Sequence, residues 1–265
     1  MAAERGWLLL TNDDGIEAPG FCMLVKALHS AGYPLVILAP SDNHSATGMR
    51  INLMKPMHLR ARDDLVSTWS LEPHQTPVHL FELDGTPCDT MIVALDGGLN
   101  HLVPGVHPQM VVSGVNLGPN LSQDSYHSGT MGAAREAGLY GVPAIAASFT
   151  SFDVQGMERA VDATLELIDR AGSVLPLRAK NLGRPKGKLD TGYFSSWPKS
   201  ETDDRWLADP ESSLLNAFSN GDLMLNLNAP GTWDGSWETT RLGVRWYRNA
   251  VRFDVEDTAA TATFT

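Results

Sequence analysis

The chain has 265 residues, a formal net charge of −11 and a sequence pI near 5.1, enough length for one α/β domain with an appendage or for two small domains. The acidic balance argues against a groove for a nucleic-acid polymer, which needs surplus Lys and Arg. The chain has two cysteines without C-x-x-C spacing, which predicts neither disulfides nor a thiolate zinc site. It has no apolar stretch near the ~20 residues of a membrane span, which predicts no membrane partner. We therefore expect a cytoplasmic protein.

The first 170 residues alternate between short β-rich runs and helical patterns, as a parallel sheet with crossover helices requires. We therefore predict an α/β fold with a Rossmann-like, mostly parallel sheet and helices on both faces. The predicted elements, in chain order, are strand 7–11, a helix from Pro19 that stops at Gly32, strands 35–38 and 78–83, helix 87–95, strand 109–112, helix 128–139, strand 144–147 and a helix with Met157, Val161, Leu165 and Ile168 on one face.

The chain changes character after residue 170. Residues 171 to about 222 are expected to form a loop-rich insertion, because they contain a basic, Gly/Pro-broken stretch and a strongly charged one. A strand pattern returns at 224–227, and 242–246 and 251–255 alternate with period two, which predicts a C-terminal antiparallel extension. The small, polar tail from Thr258 is expected to fray. We assign 1–170 to a Rossmann-like core and 171–265 to an insertion and extension of the same domain.

Three polar clusters each follow a predicted strand: 12–14 (Asn-Asp-Asp), 43–45 (Asn-His-Ser) and 113–116 (Ser-Gly-Val-Asn). The carboxyl ends of parallel strands meet at one edge of a sheet, so the clusters should converge. Two carboxylates, a hydroxyl and an amide oxygen suit magnesium, manganese or calcium better than zinc or copper. The Ser-Gly-Thr at 128–130 begins a predicted helix, where free N–H groups favour a phosphate. Together these features suggest hydrolysis of a phosphate ester.

Each feature also has an ordinary explanation. The 12–15 segment is typical of a polar turn, Ser128 of a helix N-cap, and 116–120 of turn chemistry, while Ser45 can be a turn hydroxyl. His44 and His127 fit polar surface residues better than metal ligands, since neither has a helical i, i+4 partner. The ordinary explanations do not predict that the clusters share one edge of the sheet, and this favours the metal site.

Five sequence blocks, at 11–20, 39–45, 85–89, 112–120 and 128–134, resemble the SurE family of survival-protein phosphatases. The resemblance runs in order through about residue 150. It implies a Rossmann-like domain and a phosphatase that uses one divalent metal ion, Mg²⁺ or Mn²⁺, and acts on nucleoside monophosphates. It also implies a homodimer or homotetramer, although the thin resemblance beyond about 170 leaves the oligomeric state open.

The resemblance assigns residues to roles. The implied metal ligands, which are also the four positions at the strand ends, are Asp13, Asp14, Ser45 and Asn116. The implied phosphate residues are Asn120, Ser128, Gly129 and Thr130, and we add Asn12 and His127 to the predicted phosphate and substrate site. Catalytic roles are expected for Asp13, Asp14, Asn116 and Ser128.

Two residues depart from the family pattern. Ala46 stands where family members usually have Gly, and we expect it to be tolerated if its φ is negative. His127 stands where the family usually has Tyr, so it changes the chemistry beside the Ser-Gly-Thr block and could titrate near neutral pH.

The expected reaction is metal-assisted hydrolysis without a covalent intermediate. The acid for the leaving hydroxyl is open among Asp14, His44 and His127. One alternative is a non-catalytic metal- and nucleotide-binding module of the same type. A receiver-type signalling domain is disfavoured because it needs an Asp after its third strand and a later Lys. A haloacid-type phosphatase is disfavoured because its two Asp residues stand two positions apart, whereas Asp13 and Asp14 are adjacent.

Overall fold

The computed structural model describes residues 4–71, 76–179, 209–244, 250–256 and 259–264. The strands are β1 (Trp7–Thr11), β2 (Leu35–Pro40), β3 (Leu59–Ala61), β4 (Val78–Leu83), β5 (Pro108–Leu117), β6 (Ala144–Phe149), β7 (Met224–Ala229), β8 (Val251–Glu256) and β9 (Ala259–Phe264). The helices are α1 (Pro19–Ser30), α2 (Asp63–Thr68), α3 (Pro87–Val93), α4 (Leu99–Leu102), α5 (Asp124–His127), α6 (Gly129–Leu139), α7 (Met157–Val174) and α8 (Pro210–Ser219), with a π-helical turn at Ala94–Gly98.

The strands of the described residues form a seven-stranded sheet in the order β3-β4-β2-β1-β5-β6-β7 and a separate pair, β8-β9. Within the larger sheet, β3 pairs antiparallel with β4 and the other pairings are parallel. From β1 the chain builds outward through β2 and β4, then returns to place β5 on the other side of β1. The carboxyl ends of β1 and β5 therefore flank the reversal point, where open α/β sheets bind their ligands.

Helices cover both faces of this sheet. Leu8 and Leu10 of β1 join one buried cluster, with apolar residues of α1 and α7, while Leu9 joins a second cluster with residues of α3 and α6. Successive side chains of a strand point to opposite faces, so an all-apolar strand is what a sheet covered on both sides requires. The predicted fold class, including the antiparallel C-terminal extension, is confirmed.

The local sequence determines where helix α1, which borders the reversal point, begins and ends. Pro19 occupies the first turn, where its missing N–H is not needed, and Phe21 and Leu28 are fully buried on the inner face. The chain leaves the helix through Gly32, whose φ of +84° is accessible to glycine. These bounds match the prediction.

The central strand is longer than predicted. β5 continues past Gly114 to Leu117, because Asn116 and Leu117 pair with Ser148 and Phe149 of β6 after a shift in register. Asn116 therefore stands on the strand itself. The short elements β3 and α2 were also not predicted, since three and six residues carry too little periodicity.

The C-terminal third corrects three expectations. Helix α8 lies inside the predicted loop-rich insertion, and the Asp209 side chain caps it by accepting a hydrogen bond from the Ser212 N–H at 3.1 Å. Residues 259–264 pair with β8 instead of fraying. Residues 242–244 are not a strand, and the rest of the predicted 242–246 strand lies outside the described residues, as do residues 180–208 of the insertion. A hydrophobic pattern with a period of two does not by itself produce a strand, because a strand also needs a partner to pair with.

In the part of the chain that the structure describes, no helix combines the length and apolar character needed to cross a membrane. Cys22 and Cys88 are free thiols.

Candidate metal and phosphate site

Asp13, directly after β1, is the buried centre of the site. Asp13 is 3% exposed, and its Oδ1 accepts a hydrogen bond from the Thr130 hydroxyl in the first turn of α6. Its backbone oxygen accepts from the His44 N–H at 2.6 Å. The end of β1, the loop after β2 and the start of α6 therefore meet at one residue.

Gly129 permits this close approach. A Cβ built on Gly129 would lie 2.8 Å from Cβ and 2.9 Å from Oδ2 of Asp13, distances that real Cβ atoms do not adopt. The helix can begin directly against the carboxylate only because residue 129 has no side chain. The requirement for Gly here is steric, and it fixes where Asp13 sits relative to the helix.

Asp14 joins two other strand ends. Its Oδ1 accepts a hydrogen bond from Asn43 Nδ2 at 3.3 Å, and its Oδ2 accepts from the Leu117 N–H at 3.2 Å. Asp14 thus links the loop after β2 with the last residue of β5. Both of its oxygens are oriented by the protein.

The two carboxylates are held in an environment that disfavours their negative charge. The pKa of Asp13 is raised to about 6, chiefly by burial and in smaller part by the neighbouring Asp14, while the hydrogen bond from Thr130 opposes the rise. Burial also raises the pKa of Asp14, against the hydrogen bonds from Leu117 and Asn43. Within the described residues, neither forms an ion pair with Lys, Arg or His. Two adjacent acids in this situation are stabilised by a bound cation.

The other two predicted ligands lie next to these contacts. Ser45 follows His44, is exposed, and donates its backbone N–H to Asn43 Oδ1 at 2.9 Å. Asn116 precedes Leu117 and donates its Nδ2 to the Gly118 oxygen at 2.7 Å. Neither Ser45 Oγ nor Asn116 Oδ1 is hydrogen-bonded to another described residue, so both oxygens are available to a ligand.

The residues present fit a hard divalent cation. The four side chains offer carboxylate, hydroxyl and amide oxygens, and oxygen donors select Mg²⁺, Mn²⁺ or Ca²⁺. Among the described residues, no group of three or more His, Cys, Asp or Glu is placed to hold a metal ion, so a site here would use the Ser and Asn oxygens beside the two carboxylates. Beside Asp13, the amide of Asn12 closes the turn by donating to the Gly15 oxygen at 2.7 Å, and its buried Oδ1 has no hydrogen-bond partner.

The predicted phosphate residues fall into two groups. Ser128 is the N-cap of α6, and its Oγ accepts from the Met131 N–H at 3.0 Å, while Thr130 is committed to Asp13. Asn120, in the segment between β5 and α5, is 5% exposed, and its Nδ2 donates to Ser148 Oγ at 2.8 Å. The exposed His127 contributes its backbone oxygen, which accepts from the Gly48 N–H at 2.7 Å.

Comparison with known proteins identifies the family. The sequence model described as "Survival protein SurE" matches residues 8–249. This chain belongs to the SurE family. Its relatives include the 5'-nucleotidase SurE of Desulfitobacterium hafniense, 41% identical over 145 residues that are 55% of this chain and 51% of the relative. Another is the 5'-nucleotidase SurE of Pelotomaculum thermopropionicum, 36% identical over 182 residues, 68% of this chain and 64% of the relative.

These matches cover between about half and two thirds of the length of the curated SurE relatives. Among solved structures, the SurE protein from Aquifex aeolicus superposes with a TM-score of 0.64 at 24% identity, covering 98% of this chain and 82% of that one. The structural likeness supports the fold.

Ala46 departs from the SurE pattern in a way that the structure sharpens. Its φ is +60°, so the condition of a negative φ, under which alanine would be tolerated without strain, is not met. A left-handed alanine costs about 1–2 kcal/mol. This exposed residue directly follows the predicted ligand Ser45, so the strain lies beside the site.

Two polar residues of β7 were not predicted. Asn226 and Asn228 hydrogen-bond to the backbone of Asn120, more than a hundred residues earlier in the chain. A signal was present in the sequence: Asn is depleted in strands, and two Asn residues at i and i+2 share one face.

Proposed function

We propose that this chain is a divalent-metal-dependent phosphomonoesterase that hydrolyses nucleoside monophosphates to nucleoside and phosphate. The observation that carries the proposal is the pair of oriented carboxylates, Asp13 and Asp14, at the reversal point of the sheet and against the start of α6, which form no ion pair with Lys, Arg or His among the described residues. Relatives named 5'-nucleotidase SurE support a nucleotide as the substrate. One Mg²⁺ or Mn²⁺ ion is the proposed cofactor.

Asp13, Asp14, Ser45 and Asn116 are the residues that would hold the metal. When bound, such a cation polarises a phosphoryl oxygen and lowers the pKa of a water molecule. The protein's part is orientation: Thr130 fixes Asp13, and the Leu117 N–H and Asn43 fix Asp14.

The phosphate would lie at the start of α6, where the helix dipole favours an anion. We assign its contacts to Ser128, Gly129, Thr130 and Asn120, and place Asn12 and His127 at the edge of the substrate site. Asp14, His44 and His127 remain the candidates for the acid that protonates the leaving hydroxyl. Burial lowers the pKa of His44, which favours the neutral imidazole.

Phe152 offers a surface for the nucleobase. It is 80% exposed, and its ring covers Gly118, where a Cβ would lie 2.5 Å from Phe152 Cε1. The oxygen of Gly118 accepts the hydrogen bond from Asn116, so the ring stands next to a proposed metal ligand. Stacking of a base on an aromatic side chain contributes about 1–3 kcal/mol. This feature favours a nucleotide over a small phosphate ester.

The test is a phosphatase assay of the full chain on a panel of nucleoside monophosphates and 4-nitrophenyl phosphate, with Mg²⁺, Mn²⁺ or EDTA. We expect metal-dependent phosphate release that EDTA abolishes. Asp13→Asn and Asn116→Ala should each remove most activity, while the exposed controls Asp96→Asn and Asn100→Ala should retain it. Near-wild-type turnover in both site variants would refute the site assignment.

A second candidate function is a metal- and nucleotide-binding module without turnover. The observation that favours it is the limited span of the match, which reaches only 51% and 64% of the two nucleotidase relatives described above. Calorimetry that shows metal-dependent binding of a nucleotide, together with no phosphate release, would select this alternative. We further propose a homodimer or homotetramer, which light scattering of the purified chain would measure.

A further inference from the structure

We infer that Asn226 and Asn228 are positioning residues that hold Asn120 in place for the phosphate. The inference rests on the proposed function, which places Asn120 beside the phosphate. It assigns strand β7, at the edge of the sheet and far from the acidic pair in sequence, a part in the site.

The two β7 side chains occupy both backbone groups of Asn120. Asn228 Oδ1 accepts from the Asn120 N–H at 2.8 Å, and Asn228 Nδ2 donates to the Asn120 oxygen at 3.3 Å. Asn226 Nδ2 donates to the same oxygen at 3.0 Å. The side-chain amide of Asn228 therefore both accepts from and donates to the backbone of Asn120, and the amide of Asn226 is a second donor to the Asn120 oxygen. This sets the position of the Asn120 backbone.

The strand register explains why these residues reach Asn120. Asn116 of β5 is the register partner of Ser148 of β6, and Ser148 is the register partner of Asn228 of β7. The three polar residues form a row across neighbouring strands at the carboxyl edge. Ser148 accepts the hydrogen bond from Asn120 Nδ2. The row thus connects Asn116, a proposed metal ligand, to Asn228, which binds the backbone of the proposed phosphate residue Asn120.

The composition of β7 supports a specific role. Val, Ile and aromatic residues favour strands, whereas Asn is depleted in them. Leu225 and Leu227, the alternate residues of the strand, pack against the core and suffice to hold it on the sheet. The face with Asn226 and Asn228 contributes hydrogen bonds to one loop residue instead. Because Asn120 is 5% exposed, water cannot easily replace those bonds.

The expected effect of Asn228→Ala is a fall in kcat/KM of about 10–100-fold, the scale of a small misplacement of a substrate-contacting group. KM for the nucleotide should rise, and inhibition by inorganic phosphate should weaken. Asn226→Ala removes one hydrogen bond to Asn120, where Asn228→Ala removes two, and it should have a smaller effect. Asn228→Asp keeps the acceptor for the Asn120 N–H but lacks the donor, so it should recover only part of the loss.

Leu227→Ala is the matched control, because it weakens the packing of the same strand without touching Asn120. It should lower the melting temperature at least as much as Asn228→Ala while leaving kcat/KM near wild type. Mn²⁺ affinity, measured by calorimetry, should be unchanged in Asn228→Ala, since among the described residues no hydrogen bond joins Asp13 or Asp14 to β7. Equal losses of activity in Asn228→Ala and Leu227→Ala, or a loss of Mn²⁺ affinity in Asn228→Ala, would overturn the inference.

The inference can fail separately from the proposed function. If the wild-type chain releases no phosphate, the proposed function fails, and the same variants are compared by calorimetric titration with inorganic phosphate in the presence of Mn²⁺. Weaker phosphate binding by Asn228→Ala than by Leu227→Ala would then support the positioning role. Equal binding by the two variants, or no phosphate binding by the wild type, would overturn it.

Discussion

Replacing Gly129 with Ala tests whether the start of α6 must touch Asp13. The new Cβ would meet Asp13 Cβ at 2.8 Å, Asp13 Oδ2 at 2.9 Å and the His44 oxygen at 3.1 Å. Overpacking of this kind costs about 1–3 kcal/mol, partly offset by the better helix propensity of Ala, at most about 1 kcal/mol. We expect a net loss of about 1–2 kcal/mol in stability, or a fall of about 2–8 °C in melting temperature for a chain of this size.

The effect on activity should be larger than the effect on stability. Asp13 has backbone contacts on one side and the new methyl group on the other, so its carboxylate must move, and a shift near 1 Å costs about 100-fold in rate. Gly172→Ala, inside α7, is the control because its Cβ would meet the nearest atom at an ordinary 3.6 Å. Phosphate release and thermal unfolding are measured for both variants. Wild-type stability and kcat/KM in Gly129→Ala would refute the steric reasoning.

Three further predictions follow from the same geometry. Ala46→Gly should raise stability by up to about 1 kcal/mol, since relief of the left-handed strain exceeds the entropy that glycine adds to the unfolded chain; an unchanged or lower melting temperature would contradict this. Phe152→Ala should raise KM for nucleoside monophosphates about 5- to 100-fold but leave hydrolysis of a non-aromatic ester, glycerol phosphate, unchanged, whereas the distant exposed Leu139→Ala should affect neither; equal effects on both substrates would exclude base stacking. Folding raises the pKa of Asp13 from 3.8 to about 6, so the folded chain binds this proton more tightly than the unfolded chain does. In the metal-free chain, the stability that comes from the bound proton should be fully present below pH 3.8 and lost as pH rises through about 6. Calorimetry should then show greater stabilisation by Mn²⁺ at pH 7.5 than at pH 5, and Asp13→Asn should remove most of that difference.

The core and the acidic end of the site could be predicted from the sequence because both depend on local patterns. The apolar run of β1 specifies a strand buried on both faces, and the Asp13-Asp14 pair directly after it needs only the parallel topology to reach the reversal point. Ser128 was predicted at the start of a helix, where Ser is a typical N-cap, and the structure shows it as the N-cap. In each case a few adjacent residues contain the whole signal.

The remaining features depend on contacts between distant parts of the chain. β5 extends to Asn116 because β6 supplies a partner after a register shift, which no window around Asn116 reveals. The positive φ of Ala46 is set by the loop around it, and alanine itself gives no sign of that conformation. Thr130 could be expected to face a phosphate, but in the structure its hydroxyl donates to Asp13. The anchoring of Asn120 depends on residues 108 positions later, beyond the reach of any local pattern.

The late position of β7 has a consequence for synthesis of the protein. The chain is made from its N-terminus, so Asp13, Asp14, Ser45 and Asn116 leave the ribosome well before Asn228. Until β7 docks, β6 is an open sheet edge, and the Asn120 backbone lacks its hydrogen bonds to Asn226 and Asn228. The acidic half of the site can therefore assemble on the nascent chain before the Asn120 half. A released chain that ends before residue 224 would keep its carboxylates and expose an aggregation-prone strand.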